Sequence, residues 1–119
     1  MLALTGATRL FLYRGAADMR KSFDGLSGLV RTELGGDPLS GDLFVFCNRR
    51  RTMVKLLYWD RDGLALWYKR LEQGTFRLPA PGRGAVEIDR RSLMLLLEGV
   101  TPRRLNRRYA LAQGSTGVP

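Results

Sequence analysis

The chain of 119 residues contains no histidine and one cysteine, Cys47. Without histidine, a general base has to be Asp, Glu, Lys or Tyr. Nucleophiles activated by histidine are excluded with it. One cysteine and no histidine leave neither an internal disulfide nor an ordinary zinc site. Cys47 lies in an apolar run and is expected to pack as a small buried hydrophobe. Long hydrophobic runs are missing too: none approaches the ~20 residues that span a bilayer. The first residues lack a basic stretch followed by a long apolar one, so no signal peptide is read. The expected location is cytoplasmic, with no membrane contact. Gly82-Arg83-Gly84 is not followed by Gly-Lys-Ser/Thr and is no phosphate-binding loop. No cofactor, metal or small-molecule substrate is expected, and the chain reads as non-catalytic.

Negative charge is scarce as well. Twenty Lys and Arg face eleven Asp and Glu, for a net charge of +9 and a pI near 10.8. Such a balance points to an anionic partner, of which nucleic acid is the commonest. Residues 1–40 carry five cations and four anions, residues 41–80 eight and four, and residues 81–119 seven and three. The excess therefore lies in the middle and the C-terminal third. Apolar residues make up 45% of the chain, enough for a folded domain.

Periodicity predicts the elements. "RLFLYR" from Arg9 reads as a strand ended by Gly15. Asp18 is read as the N-cap of a long helix whose apolar face is Met19, Phe23, Leu26, Val30 and Leu34, ended by Gly35-Gly36 before Asp37-Pro38. "DLFVFCN", "TMVKLLYW" and "LALWYKRL" read as strands joined by the turns "NRRR" and "DRDG". "TFRLP" reads as a fourth, edge strand ended by Pro79. "VEI" is one more candidate strand, and Asp89 caps "RRSLMLLLE", which Gly99 ends. The expected fold is α+β: an antiparallel meander of four to six strands, one long helix on a face, a short C-terminal helix and a basic tail. Residues 1–100 are read as one domain and 101–119 as a basic, partly disordered tail. One sheet face is expected under the helix and the other to show Lys55 among aromatics.

Two features carry candidate chemistry. Asp60 and Asp62 are paired carboxylates of a kind that can hold a divalent metal, but Asp-x-Asp-Gly between strands is also ordinary turn chemistry. The turn is the reading adopted, and no metal residue is assigned. The basic groups are the second feature. Arg49, Arg50 and Arg51 sit at a predicted hairpin tip, Lys55 lies in the strand that follows, Arg61 lies in the next turn, and Lys69 and Arg70 end a neighbouring strand. Arg103, Arg104, Arg107 and Arg108 repeat at helix-compatible spacing in the tail. These are the candidate phosphate contacts. Tyr58, Trp59, Trp67 and Tyr68 offer stacking faces, although a sheet under one helix needs at least two of them as core.

"DMRKSFDGL" at 18–26, "LFVFCNRRRTMVKLLYWDRDGLALWYKRLEQGTFRLP" at 43–79 and "LLLEG" at 95–99 closely resemble the small accessory protein encoded by the second open reading frame, called TnpB there, of the sixty-six group of bacterial insertion sequences. The resemblance rests on Asp18, Met19, Arg20, Lys21, Asp24, Gly25 and Leu26. It continues through Trp59, Asp60, Gly63, Tyr68, Lys69, Arg70, Leu71, Gly74, Phe76 and Pro79, and covers roughly residues 4–100. It implies a non-catalytic accessory role in DNA transposition beside a separate large transposase. It does not supply DNA-contact residues. Three readings stay open: a DNA-binding accessory acting at element ends, a protein module docking on the transposase without touching DNA, and a metal-dependent nuclease using Asp60 and Asp62.

Overall fold

The structure, a computed structural model, describes residues 8–79 and 82–100. The tail expected from residue 101 lies outside the described residues. In chain order the elements are β1 (Leu10–Ala16), α1 (Phe23–Glu33), β2 (Leu43–Cys47), β3 (Met53–Asp60), β4 (Gly63–Arg70), β5 (Ala85–Ile88) and α2 (Arg90–Glu98). The strands form one sheet in the order β4-β3-β2-β1-β5.

The strand count falls within the expected range, and β2-β3-β4 is the meander the turns predict. The rest of the sheet differs. β1 pairs with β2 in parallel, Leu10 opposite Leu43, and β5 pairs antiparallel with β1 at the far edge. Parallel neighbours need a crossover connection, usually a helix, and α1 is that connection. "TFRLP" is not a strand. Gly74 takes φ 78 and turns the chain, Thr75 forms an isolated bridge with Val100, and Phe76 N donates to Arg51 O at 2.7 Å. The segment thus crosses the strand ends and buries Phe76 and Leu78, leaving β4 as the sheet edge.

The long helix is also shorter than read. α1 covers 11 residues, with Ser22 rather than Asp18 at its N-cap position. Asp18 is engaged elsewhere: its carboxylate accepts from Arg20 N at 2.9 Å and Arg20 Nη2 at 2.7 Å. The carbonyls of Met19 and Lys21 are held by the Lys55 ammonium at 2.9 and 2.8 Å. Residues 18–21 are therefore pinned as a turn before the helix begins. The stop is as expected: Gly35 takes φ 64, and Gly36 N reaches Val30 O at 3.0 Å. α2 matches its signals, with Asp89 Oδ1 accepting from Ser92 N at 2.7 Å and Gly99 ending the helix at φ 74, ψ 167, a backbone conformation open to glycine.

Helices cover both faces of the sheet. Leu26 and Val30 of α1 pack on Phe44, Phe46 and Leu57. Leu93 and Leu96 of α2, with Phe76 and Leu78, pack on Leu12, Val45, Val54 and Leu56. The central β2 is therefore buried at every residue, which explains its unbroken apolar run. The open face expected around Lys55 does not exist. Cys47 is buried, and desolvation pushes its thiol pKa up to about 12. No helix among the described residues is long and apolar enough to cross a membrane.

Candidate nucleic-acid interface

Strand direction decides which charges meet. β1 and β2 run the same way and both finish at one end of the sheet, where Ala16 lies opposite Cys47. β3 starts at that end and β4 finishes there, Met53 opposite Arg70. The tip between β2 and β3 is built by Asn48. Its side-chain oxygen accepts from Thr52 N at 2.9 Å and Met53 N at 3.0 Å, and its amide donates to Thr52 Oγ1 at 3.1 Å. Arg49, Arg50 and Arg51 are exposed on this tip. Arg51 adopts φ 58, a left-handed conformation uncommon outside glycine and asparagine. It is tolerated because both backbone partners of Arg51 are fixed: its N–H donates to Asn48 O at 3.1 Å and its carbonyl accepts from Phe76 N at 2.7 Å.

Arg70 is exposed beside the tip, and its guanidinium reaches Glu72 at 3.3 Å. Lys69 is half-withdrawn: its ammonium donates to Leu97 O at 2.9 Å, near the C-terminus of α2, where a cation is favourably placed. Arg14, at the end of β1, donates to the carbonyl of Arg83. Arg14, Asn48, Arg49 and Arg51 line a cleft of about 70 Å³ between the strand ends. Arg77 follows Phe76 across the same end. Arg20 and Lys21 lie alongside, on the turn pinned by Lys55. The Lys21 stem fills the space a Gly25 side chain would need, 2.9 Å from an added Cβ. Val100, from which the segment containing Arg103, Arg104, Arg107 and Arg108 continues, is bridged to Thr75 at this end. Those four arginines lie outside the described residues.

Two of the expected contacts fall elsewhere. Lys55 is 5% exposed. Its ammonium serves two carbonyls and lies 4.7 Å from the centre of the Tyr68 ring, so it supports the basic end from beneath and is not on its surface. Arg61 occupies the turn between β3 and β4, at the opposite end of eight-residue strands and so about 25 Å away. That opposite end is richer in carboxylates. Asp42 accepts from Arg9 N at 3.2 Å, Glu87 pairs with Arg9 at 2.8 Å, and Asp60, Asp62 and Asp89 lie there too. Asp60 closes β3 opposite Gly63, and Arg61 takes φ 55 in the turn between them. No cluster of three or more metal-binding side chains occurs among the described residues.

The aromatics divide between the faces. Tyr58 and Trp67 pack against the core under α2. Tyr68 is 51% exposed, on the α1 face near the basic end, and its hydroxyl lies 2.9 Å from Met53 Sδ. Sequence reading missed Arg14, Asn48, Arg77 and Arg83 as parts of this end, and Arg20 and Lys21 as its neighbours. Only the parallel pairing of β1 with β2 brings Arg14 to the tip, and no local pattern signals that pairing. The Asn48 role was open to inference from an asparagine opening a tight turn.

The family described as IS66 Orf2 like protein matches residues 8–107. Two uncharacterised proteins of Sinorhizobium fredii (strain NBRC 101917 / NGR234) are similar over most of their lengths. The protein y4jC is 32% identical over 108 residues, spanning 91% of this chain and 92% of the relative. The protein y4hO is 37% identical over 92 residues, spanning 77% of this chain and 80% of the relative. No solved structure matches the chain.

Proposed function

The chain belongs to the IS66 Orf2-like family, and from that premise we propose that it is a non-catalytic transposition accessory that grips DNA phosphates with the basic end of its sheet. The observation that carries this reading is the convergence of Arg14, Arg49 and Arg51 on one small cleft, with Arg50, Lys69 and Arg70 beside it. Guanidiniums suit phosphate oxygens because their planar fork offers paired donors. Phosphate contacts fix register without reading bases, which suits an accessory whose partner, the large transposase of the same element, carries the chemistry. A second reading, docking on the transposase, draws support from Met94 and Leu95, which α2 leaves 60% and 56% exposed.

Salt titration of binding to element-end DNA tests the first reading. With roughly three to five phosphates neutralised, the log–log slope is expected at about −3 to −4.5. Replacing Arg49, Arg50 and Arg51 together by alanine should flatten it by about 1 to 3 units and weaken all sequences alike. An unchanged slope in the triple variant removes the tip from the interface. Absence of salt-dependent binding in the parent hands the lead to transposase docking, to be followed by co-purification.

A further inference from the structure

The two edges of the sheet are built differently. β5 is four residues long and lies between Gly84, at φ 64, and the helix cap Asp89. β4 is the other edge. It pairs with β3 through eight consecutive residues without a bulge, contains no proline, and carries no charge before Lys69. Leu71 N donates to Thr52 O at 2.8 Å, so ladder alternation turns the N–H and C=O groups of Leu64, Leu66, Tyr68 and Arg70 away from β3. A long, regular, largely apolar edge of this kind is what soluble proteins ordinarily blunt or cover.

We propose that a second copy of this chain covers it, β4 pairing antiparallel with β4 across a two-fold axis at Leu66 to make one continuous ten-stranded sheet. Outward-facing residues must meet outward-facing residues, and an axis at Leu66 satisfies that condition. It sets Leu64 opposite Tyr68 of the second copy, both on the α1 face, and brings Asp62, in the turn before β4, beside its Arg70. On the α2 face it sets Ala65 opposite Trp67, small against large. Asp62 then meets Arg70 on both sides of the axis, so antiparallel self-pairing brings opposite charges together twice, whereas parallel pairing would set Arg70 beside Arg70. The contact is isologous and closes at two copies. It rests on the edge of β4 and not on the tip arginines, and it shares only Arg70 with the DNA reading; sedimentation without DNA tests it separately from salt-dependent binding.

Sedimentation of the full chain at micromolar concentration is expected to give a dimer. Arg70→Asp and Asp62→Arg, both at exposed positions, should each weaken dimerisation at least several-fold, and the double variant should recover it. Oxidised Leu66→Cys should run as a disulfide-linked dimer, because a hydrogen-bonded pair on the axis lies about 5.5 Å apart at Cα, within disulfide range; Cys47 is too buried to compete. A monomeric full chain overturns the proposal. So does a dimer in which the charge variants fail to couple. A monomer that dimerises only after truncation at Val100 overturns it in favour of residues 101–119 as the occupant. A monomer whose Arg70→Asp variant loses the transposase overturns it in favour of that protein.

Discussion

A buried lysine organises much of the basic end without belonging to its surface. The Lys55 ammonium holds the carbonyls of Met19 and Lys21 and so fixes the turn that presents Arg20 and Lys21. Lys55→Met keeps the volume but strands both carbonyls, and two charge-assisted bonds should cost about 2–3 kcal/mol in urea unfolding. Lys55→Arg should not rescue it, because a planar fork does not fit two carbonyls arranged around a compact ammonium. Asn48 plays a matching part on the tip. Asn48→Ala should cost about 1–2 kcal/mol and loosen the arginines, read as faster amide exchange at Thr52 and Met53. A mere surface asparagine would show neither effect.

Among the elements, α2 depends on its cap. Ser92 N–H lowers the Asp89 pKa, and Arg20 holds the Asp18 carboxyl at about 2. Both pKa values are depressed on folding, so each ionised carboxylate contributes stability above the unfolded pKa near 3.9, and that contribution disappears as pH falls towards the folded values. The melting temperature should therefore drop as pH is taken from about 4 to 2. Asp89→Ala should lower it at neutral pH and shrink the acid-dependent part; an unchanged acid profile would show that the cap contributes nothing. The elements most legible in sequence were those with local signals: the cap and glycine stop of α2, the turns of the β2-β3-β4 meander, and the glycine stop of α1. The start of α1 was misread because a tertiary contact from Lys55 overrides the local capping preference of Asp18. "TFRLP" was misread because strand propensity cannot see that Phe76 is needed beneath α2. Lys55 looked like a surface cation because sequence alone does not show that both faces of the sheet are covered.

At the scale of the whole molecule, charge is sorted along the strands. Cations dominate where β2 and β4 finish, and carboxylates gather where β3 and β5 finish. Position should therefore matter more than net charge for DNA binding. Glu98→Lys, near the basic end, and Glu33→Lys, at the far end of α1, change the net charge equally, and both residues lie on exposed helix surface. Glu98→Lys should steepen the salt slope by up to about 1 unit, while Glu33→Lys should leave it close to the parent. Equal slopes would mean that binding follows bulk charge and that the sorted ends have no role in it.

The parallel pairing of β1 with β2 also has a consequence in time. As the polypeptide leaves the ribosome, β2, β3 and β4 can zip up from contacts close in sequence. β1 emerges first yet waits: one neighbour arrives only after the α1 crossover, and the other only with Ile88, which pairs with Leu10. Local pairings should thus dominate the folding transition state, and docking of β5 should come late. Leu56→Ala, inside the meander, should slow refolding. Val86→Ala, in β5, should leave the refolding rate nearly unchanged and accelerate unfolding, so the last strand to join is the one that sets how long the assembled sheet survives.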